Sequence, residues 1–154
     1  MREFISERKK RKMQLILKIL GEPKSKQSFR FGILHGRVMK YQNNKIHQEE
    51  DNIRWQIINQ LPKDFVPIET KIFVKKLHYI FSIPKSFSKA KIKEIADGKL
   101  IFKITKPDLT DNLSKGLFDA MQGIVFLNDS QICSIENCKK IYGFTPRIEV
   151  EIEA

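Results

Sequence analysis

A chain of 154 residues that is 41% hydrophobic and 31% charged is the size of one ordinary domain, with enough apolar material for a core; this excludes a long disordered chain. Two cysteines are too few for a disulfide scaffold, and no apolar run approaches the ~20 residues of a membrane helix. The 29 Lys and Arg against 18 Asp and Glu leave a net charge of +11, which points to a polyanionic partner, nucleic acid or an anionic surface.

In chain order, residues 1–12 form a basic leader, with positive charge concentrated from Arg8 to Lys12. The apolar stretch Met13 to Leu20 that follows is interrupted by Lys18 and lacks a small-residue cleavage pattern, so it is not read as a signal peptide and a cytoplasmic location is expected. Ser6 to Lys12 is basic without the wide apolar face of a membrane-surface helix; it is either a solvated leader or an arm that contacts DNA. Met13 to Leu20 itself predicts a first strand, ended by Gly21-Glu22-Pro23, and a basic loop then runs from Pro23 into a second extended piece at Phe29-Arg30-Phe31.

Ile46 to Leu61 predicts a helix, with Ile46, Ile53, Ile57, Ile58 and Leu61 near helical spacing and Pro62 as its stop. Trp55, beside Ile58 on that helix, is most simply core. Ile68 to Ile83 alternates and reads as one long strand ending at Pro84; Ser86 to Asp97 is a short basic helix closed by Gly98. Leu100 to Thr105 is a short strand and Thr110 to Gln122 a helix with Leu113, Leu117, Ala120 and Met121 on one side. Strands at Ile124 to Phe126, Ser130 to Ile141 and Arg147 to Ile152 complete an α+β single domain built on a mixed β-sheet with packed helices. Cys133 and Cys138 fall on opposite faces of an alternating strand, which favours buried free thiols over a disulfide. None of His35, His47 and His78 completes a zinc-type spacing with them.

The charge is unevenly placed. Residues 1–46 carry 13 Lys and Arg against 3 Asp and Glu, residues 47–106 carry 12 against 7, and residues 107–154 carry 4 against 8. A basic body with an acidic C-terminal third suits a protein that grips a polyanion while a few carboxylates hold metal against it.

The chemistry-bearing stretch runs from Lys106-Pro107-Asp108 through Asp111-Asn112 and Lys115 to Asp119, then Asn128-Asp129-Ser130-Gln131. Asp108 stands at a strand exit, and Asp111, Lys115 and Asp119, four apart, share one polar helix face. Asp108 and Asp111 from one segment with Asp129 from another could hold Mg2+ beside a phosphodiester, since three like charges repel without a cation. Lys115 could reach a phosphate oxygen or offset a developing oxyanion. The plainer alternative is that Asp108 caps the helix, Asp111 pairs with Lys115, and Asp129 belongs to a turn.

Taken together, Pro107, Asp108, Asp111, Asn112, Lys115, Asp119-Ala120, Gly123, Asp129 and Gln131, with the earlier Gly21-Glu22-Pro23, Lys24, Lys26 and Gln27, resemble the RusA family of Holliday junction resolvases over about residues 13–154. The resemblance implies a RusA-like endonuclease domain over that span. It also implies a homodimer, Mg2+ as the metal, no small-molecule cofactor, and four-way junction DNA as substrate; no membrane association is expected, because no apolar run is long enough to span and the basic run lacks an apolar face. Asp108, Asp111, Lys115 and Asp129 become its catalytic residues and the three aspartates its metal ligands. Two departures stand out: Leu109 and Thr110 separate the first two aspartates where the family usually has one residue, so that Asp108 would need a bulged connection, and Asn128 stands where many members have a further Asp. Lys24, Lys26, Arg30, Lys75, Lys76, Lys89, Lys91 and Lys93 are the candidate DNA-backbone contacts. The competing reading is a junction-binding protein whose metal site has degenerated; an RNA-binding module lacks the interleaved aromatics such folds use for stacking.

Overall fold

The computed structural model describes residues 12–25, 30–34, 37–41 and 44–154, with side chains described from residue 48 onward in the first helix. Most of the predicted basic leader, Lys26 and Gln27, His35 and the side chains of Arg30 and His47 lie outside the described residues. The elements are β1 (Gln14–Leu20), β2 (Arg30–Leu34), β3 (Arg37–Tyr41), α1 (Asn44–Gln60), β4 (Ile72–Ser82), α2 (Lys89–Ala96), a wide helical turn (Leu109–Ser114), α3 (Lys115–Met121), a one-turn 3-10 helix (Asp129–Gln131), β5 (Ile132–Ile135), β6 (Cys138–Gly143) and β7 (Arg147–Glu153). The architecture is the expected α+β one.

β4 is the central strand of a five-stranded mixed sheet. It runs antiparallel to β7, which pairs in turn with β1, and parallel to β5 and β6 on its other side. β2 and β3 form a separate hairpin. The apolar alternation of β1 (Leu15, Leu17, Ile19) and β7 (Ile148, Val150, Ile152) buries one sheet face, where Ile57 of α1 and Leu117, Phe118 and Met121 of α3 meet it.

In β4 the buried core-facing positions change parity, from Ile72 and Val74 to Leu77, Tyr79 and Phe81, and Ile80 is buried as well. The pairing with β7 slips by one residue between Val74 and Lys76, and that bulge returns the apolar set to the core face. At Ile72–Ser82 the strand is shorter than the predicted Ile68 to Ile83, and Ile68 contributes only an isolated bridge to Phe126.

α1 does more than pack. Gln60 Nε2 donates to Lys18 O (2.8 Å) while its Oε1 accepts from Lys18 N (2.9 Å), and Gln56 does the same with Leu20 (3.0 and 2.7 Å). Four helical residues rise ~6 Å and two strand residues ~6.7 Å, so glutamines one turn apart match alternate residues of the outer edge of β1.

Five more sequence expectations are corrected. Trp55 is 66% exposed and Ile58 54%, because the helix docks through Ile53, Ile57 and Leu61 and Trp55 lies two residues, about 200°, from that stripe. Leu100 to Thr105 makes no strand beyond a bridge at Phe102, and Ile124 to Phe126 is a turn following α3. Ser130 to Ile141 is broken at Glu136-Asn137, where Asn137 adopts φ 45°, a left-handed conformation Asn tolerates; β5 pairs with β4 before the break and β6 after it. Both cysteines are free as expected, yet Cys133 is exposed, and only Cys138 is half-buried, its thiol pKa raised by burial.

Candidate active site

The turn after Pro107 departs from a regular helix. Leu113 N donates to Asp108 O (3.2 Å), five residues back instead of four, so the first turn holds one residue more than an α-turn. A turn of this width accommodates Leu109 and Thr110, the two residues between Asp108 and Asp111. The wide turn also breaks the four-residue repeat that would stack Asp111 on Lys115, and no ion pair joins those two among the described residues. The predicted Thr110 to Gln122 helix is thus the wide turn followed by α3, with Gly123 (φ 78°) in the turn beyond it.

Three anchors hold the backbone around Asp108. The Lys106–Pro107 peptide is cis, and Lys140 from β6 donates its ammonium to Thr105 O (2.7 Å) and Pro107 O (2.8 Å). Asp108 O receives the Leu113 N–H, and Leu109 O receives the hydroxyl of Ser114 (2.7 Å). Ser114 is a buried polar residue under the turn, and its Oγ accepts from the hydroxyl of Tyr79 (3.1 Å), a β4 residue with no exposed surface. Burial raises the Tyr79 pKa well above its ordinary value, outweighing the Ser114 hydrogen bond, so the phenol stays a donor.

The carboxylates themselves have little structural employment. Asp108 occupies the N-cap position without a side-chain capping bond, and its Oδ2 accepts from Asn112 Nδ2 (3.3 Å). Asp111 is exposed. Asp129 opens the 3-10 turn, but the cap is Asn128, whose Oδ1 accepts from Ser130 N (2.9 Å) while Gln131 Oε1 accepts from Asn128 N (2.8 Å). Gln131 also donates to Ile68 O and Thr70 O (both 2.8 Å), fixing the turn against the segment before β4. Asn128 is occupied as a cap, which leaves Asp129 as the acid of that turn.

Leu109, Thr110, Ser114, Lys115, Phe118, Asp129, Ile135 and Cys138 line a cleft of about 450 Å3. It brings Lys115 and Asp129 together on one surface, and Asp108 and Asp111 bracket in sequence the two turn residues that line it. Among the described residues, no three His, Cys, Asp or Glu side chains are gathered into a metal-holding group. The donors are hard carboxylate oxygens, and Mg2+ commonly takes one or two of these with water and substrate phosphate completing its shell, so the residues present suit that cation.

The expected DNA contacts divide. Lys24 is paired with Glu49 (2.5 Å), Lys75 with Glu136 (2.5 Å), and Lys76 with Glu149 (2.8 Å), to which Arg147 also donates (2.7 Å). Burial would raise the Glu149 pKa, but hydrogen bonds from Lys76 and Arg147 prevail and hold it at about 2. Lys91 lies over the Phe87 ring, 3.9 Å from its centroid, while Lys89 and Lys93 are exposed on α2, which buries none of its residues. Sequence reasoning misses Lys140, Tyr79, Ser114 and the capping role of Asn128. No signal marks Lys140, since alternation along a strand tells which face a residue takes and not which loop crosses it.

No helix is long and apolar enough to cross a membrane among the described residues. The sequence is 30% identical over 135 residues to the uncharacterized protein YqaN of Bacillus subtilis (strain 168), a match covering 87% of this chain and 92% of that protein. Residues 21–153 match the family described as Endodeoxyribonuclease RusA, a span that holds the wide turn, Lys115, Asp129 and the whole sheet except β1. The chain therefore belongs to the RusA family of Holliday junction endodeoxyribonucleases and is a DNA endonuclease by membership.

Proposed function

We propose that residues 13–154 form a Mg2+-dependent endonuclease domain that works as a homodimer, resolving four-way DNA junctions by paired symmetric nicks in recombination and repair. The observation that carries this reading is the cleft shared by Lys115 and Asp129 beside a turn whose two aspartates are not consumed by lysines. A two-fold junction presents two equivalent scissile phosphates, which a two-fold dimer matches.

In this reading Asp108, Asp111 and Asp129 hold the cation, which when bound activates water and neutralises phosphate charge. Attack of water on phosphorus breaks the bond to the leaving sugar oxygen, and the Lys115 ammonium offsets charge on the phosphate oxygens as it develops. Lys89 and Lys93 are the exposed candidates for backbone contacts, with Lys26 and Arg30 from the N-terminal part.

The test is cleavage of a synthetic four-way junction with and without Mg2+, alongside Asp111→Asn. Symmetric nicks that require the metal and vanish in the variant, with junction binding retained, are expected. Binding without cleavage at any metal concentration would replace this reading with a non-catalytic junction-binding one.

A further inference from the structure

We propose that Lys140 is a positioning residue for Asp108, acting together with Ser114 and Tyr79; this rests on the reading of Asp108 as a metal ligand. Three consecutive carbonyls, those of Pro107, Asp108 and Leu109, are each engaged: by Lys140 Nζ at 2.8 Å, by Leu113 N at 3.2 Å and by Ser114 Oγ at 2.7 Å. The outer two anchors come from side chains rooted in the sheet, Lys140 directly from β6 and Ser114 through the buried hydroxyl of Tyr79 on β4.

A wide turn needs such support. A five-residue hydrogen-bonded turn is a rare form, and a single added residue could equally be thrown out as a loop, carrying Asp108 away from Asp111. Anchoring the backbone on both sides of Asp108 leaves its carboxylate only its own side-chain torsions. Lys140 directs two of its three donors to main-chain oxygens at 2.7 and 2.8 Å, so its task here differs from that of a lysine offered to a phosphate. Partners that orient metal ligands typically change metal affinity or activity 10–100-fold when removed.

The sign of the effect separates this role from the alternatives. Removing a positive charge near carboxylates would by itself tighten cation binding, and removing a DNA contact would weaken junction binding without metal. Loss of positioning weakens cation binding alone.

The experiment measures free Mn2+ by electron paramagnetic resonance during titration of the wild-type chain, Lys140→Met, Ser114→Ala and Asp108→Asn, with junction affinity measured in chelator on the same preparations. Lys140→Met and Ser114→Ala should each weaken Mn2+ binding about tenfold or more with metal-free junction affinity unchanged. Ser114→Ala leaves every charge in place, so it decides the matter if Lys140→Met does not fold. Wild-type or tighter Mn2+ binding in Lys140→Met, or wild-type binding in Ser114→Ala, while Asp108→Asn has lost it, overturns the positioning role alone. A wild-type chain that takes up no Mn2+ overturns the metal-site reading and this inference with it.

Discussion

Acidification should strip stability from this protein through Glu149. Its carboxylate is 23% exposed and receives Lys76 at 2.8 Å and Arg147 at 2.7 Å, which hold its pKa at about 2 against an ordinary 4.5. A group whose folded pKa lies below its unfolded one stabilises the fold fully above the unfolded value, and that contribution disappears as pH falls toward the folded one. The window is therefore pH 5 down to 2. At about 1.4 kcal/mol per pH unit, the difference between 4.5 and about 2 sets a ceiling of roughly 3 kcal/mol, and screening at a partly solvated site brings the expectation to about 1–2 kcal/mol. Urea unfolding of the wild type and Glu149→Gln at intervals from pH 7 to pH 2 would measure it. The variant should start lower by that amount at pH 7 and converge on the wild type at the acid end. Parallel curves across the whole range would refute the linkage, and would also remove the ground for assigning the Lys76 ammonium to the fold instead of to DNA.

Three further outcomes are expected. Lys115→Ala should lower the single-turnover cleavage rate about 10²-fold with little change in junction affinity or thermal stability, since it forms no ion pair among the described residues; a near-wild-type rate would return Lys115 to the surface. Junction affinity should fall steeply between ~50 and ~200 mM salt, with the slope unaffected by Lys76→Ala and reduced by about one in Lys93→Ala, and the opposite ranking would show that the Glu149 pair opens on DNA. Gly143→Ala should cost about 1–3 kcal/mol in denaturant unfolding, because the added methyl would sit 2.7 Å from Ile80 Cγ2 across the β4–β6 pair; an unchanged midpoint would mean that Ile80 repacks freely.

The sequence carries what periodicity and breakers encode. Alternation marks β1 and β7 because both bury one face only, and Pro62 and Gly98 fall just beyond the ends of α1 and α2. The stretch Ser130 to Ile141 reads falsely as one strand because one Asn in a left-handed conformation resets the pairing, and an isolated Asn in an alternating stretch carries no such instruction. Trp55 misleads for a related reason: size and apolarity suggest core, whereas the docking stripe is set by the spacing of Ile53, Ile57 and Leu61. At the site, residue types and order name the acids and Lys115, and the surplus residue between Asp108 and Asp111 calls for a bulge. The turn that absorbs it, and the lysine and hydroxyls beneath it, depend on contacts 33 and 35 residues apart in the chain, which no local pattern reveals.

The glutamines of α1 bear on how two copies of this chain could meet. Gln56 and Gln60 occupy the outward N–H and C=O groups of Lys18 and Leu20, so the helix serves as a false last strand along the C-terminal half of β1. A subunit pair assembled by continuing one sheet into the next at Lys18 and Leu20 would first have to peel α1 away and surrender the burial of Ile57. If two copies do pair, the outward pair Trp55 and Ile58 on the same helix is where a search by cross-linking or tryptophan fluorescence should begin.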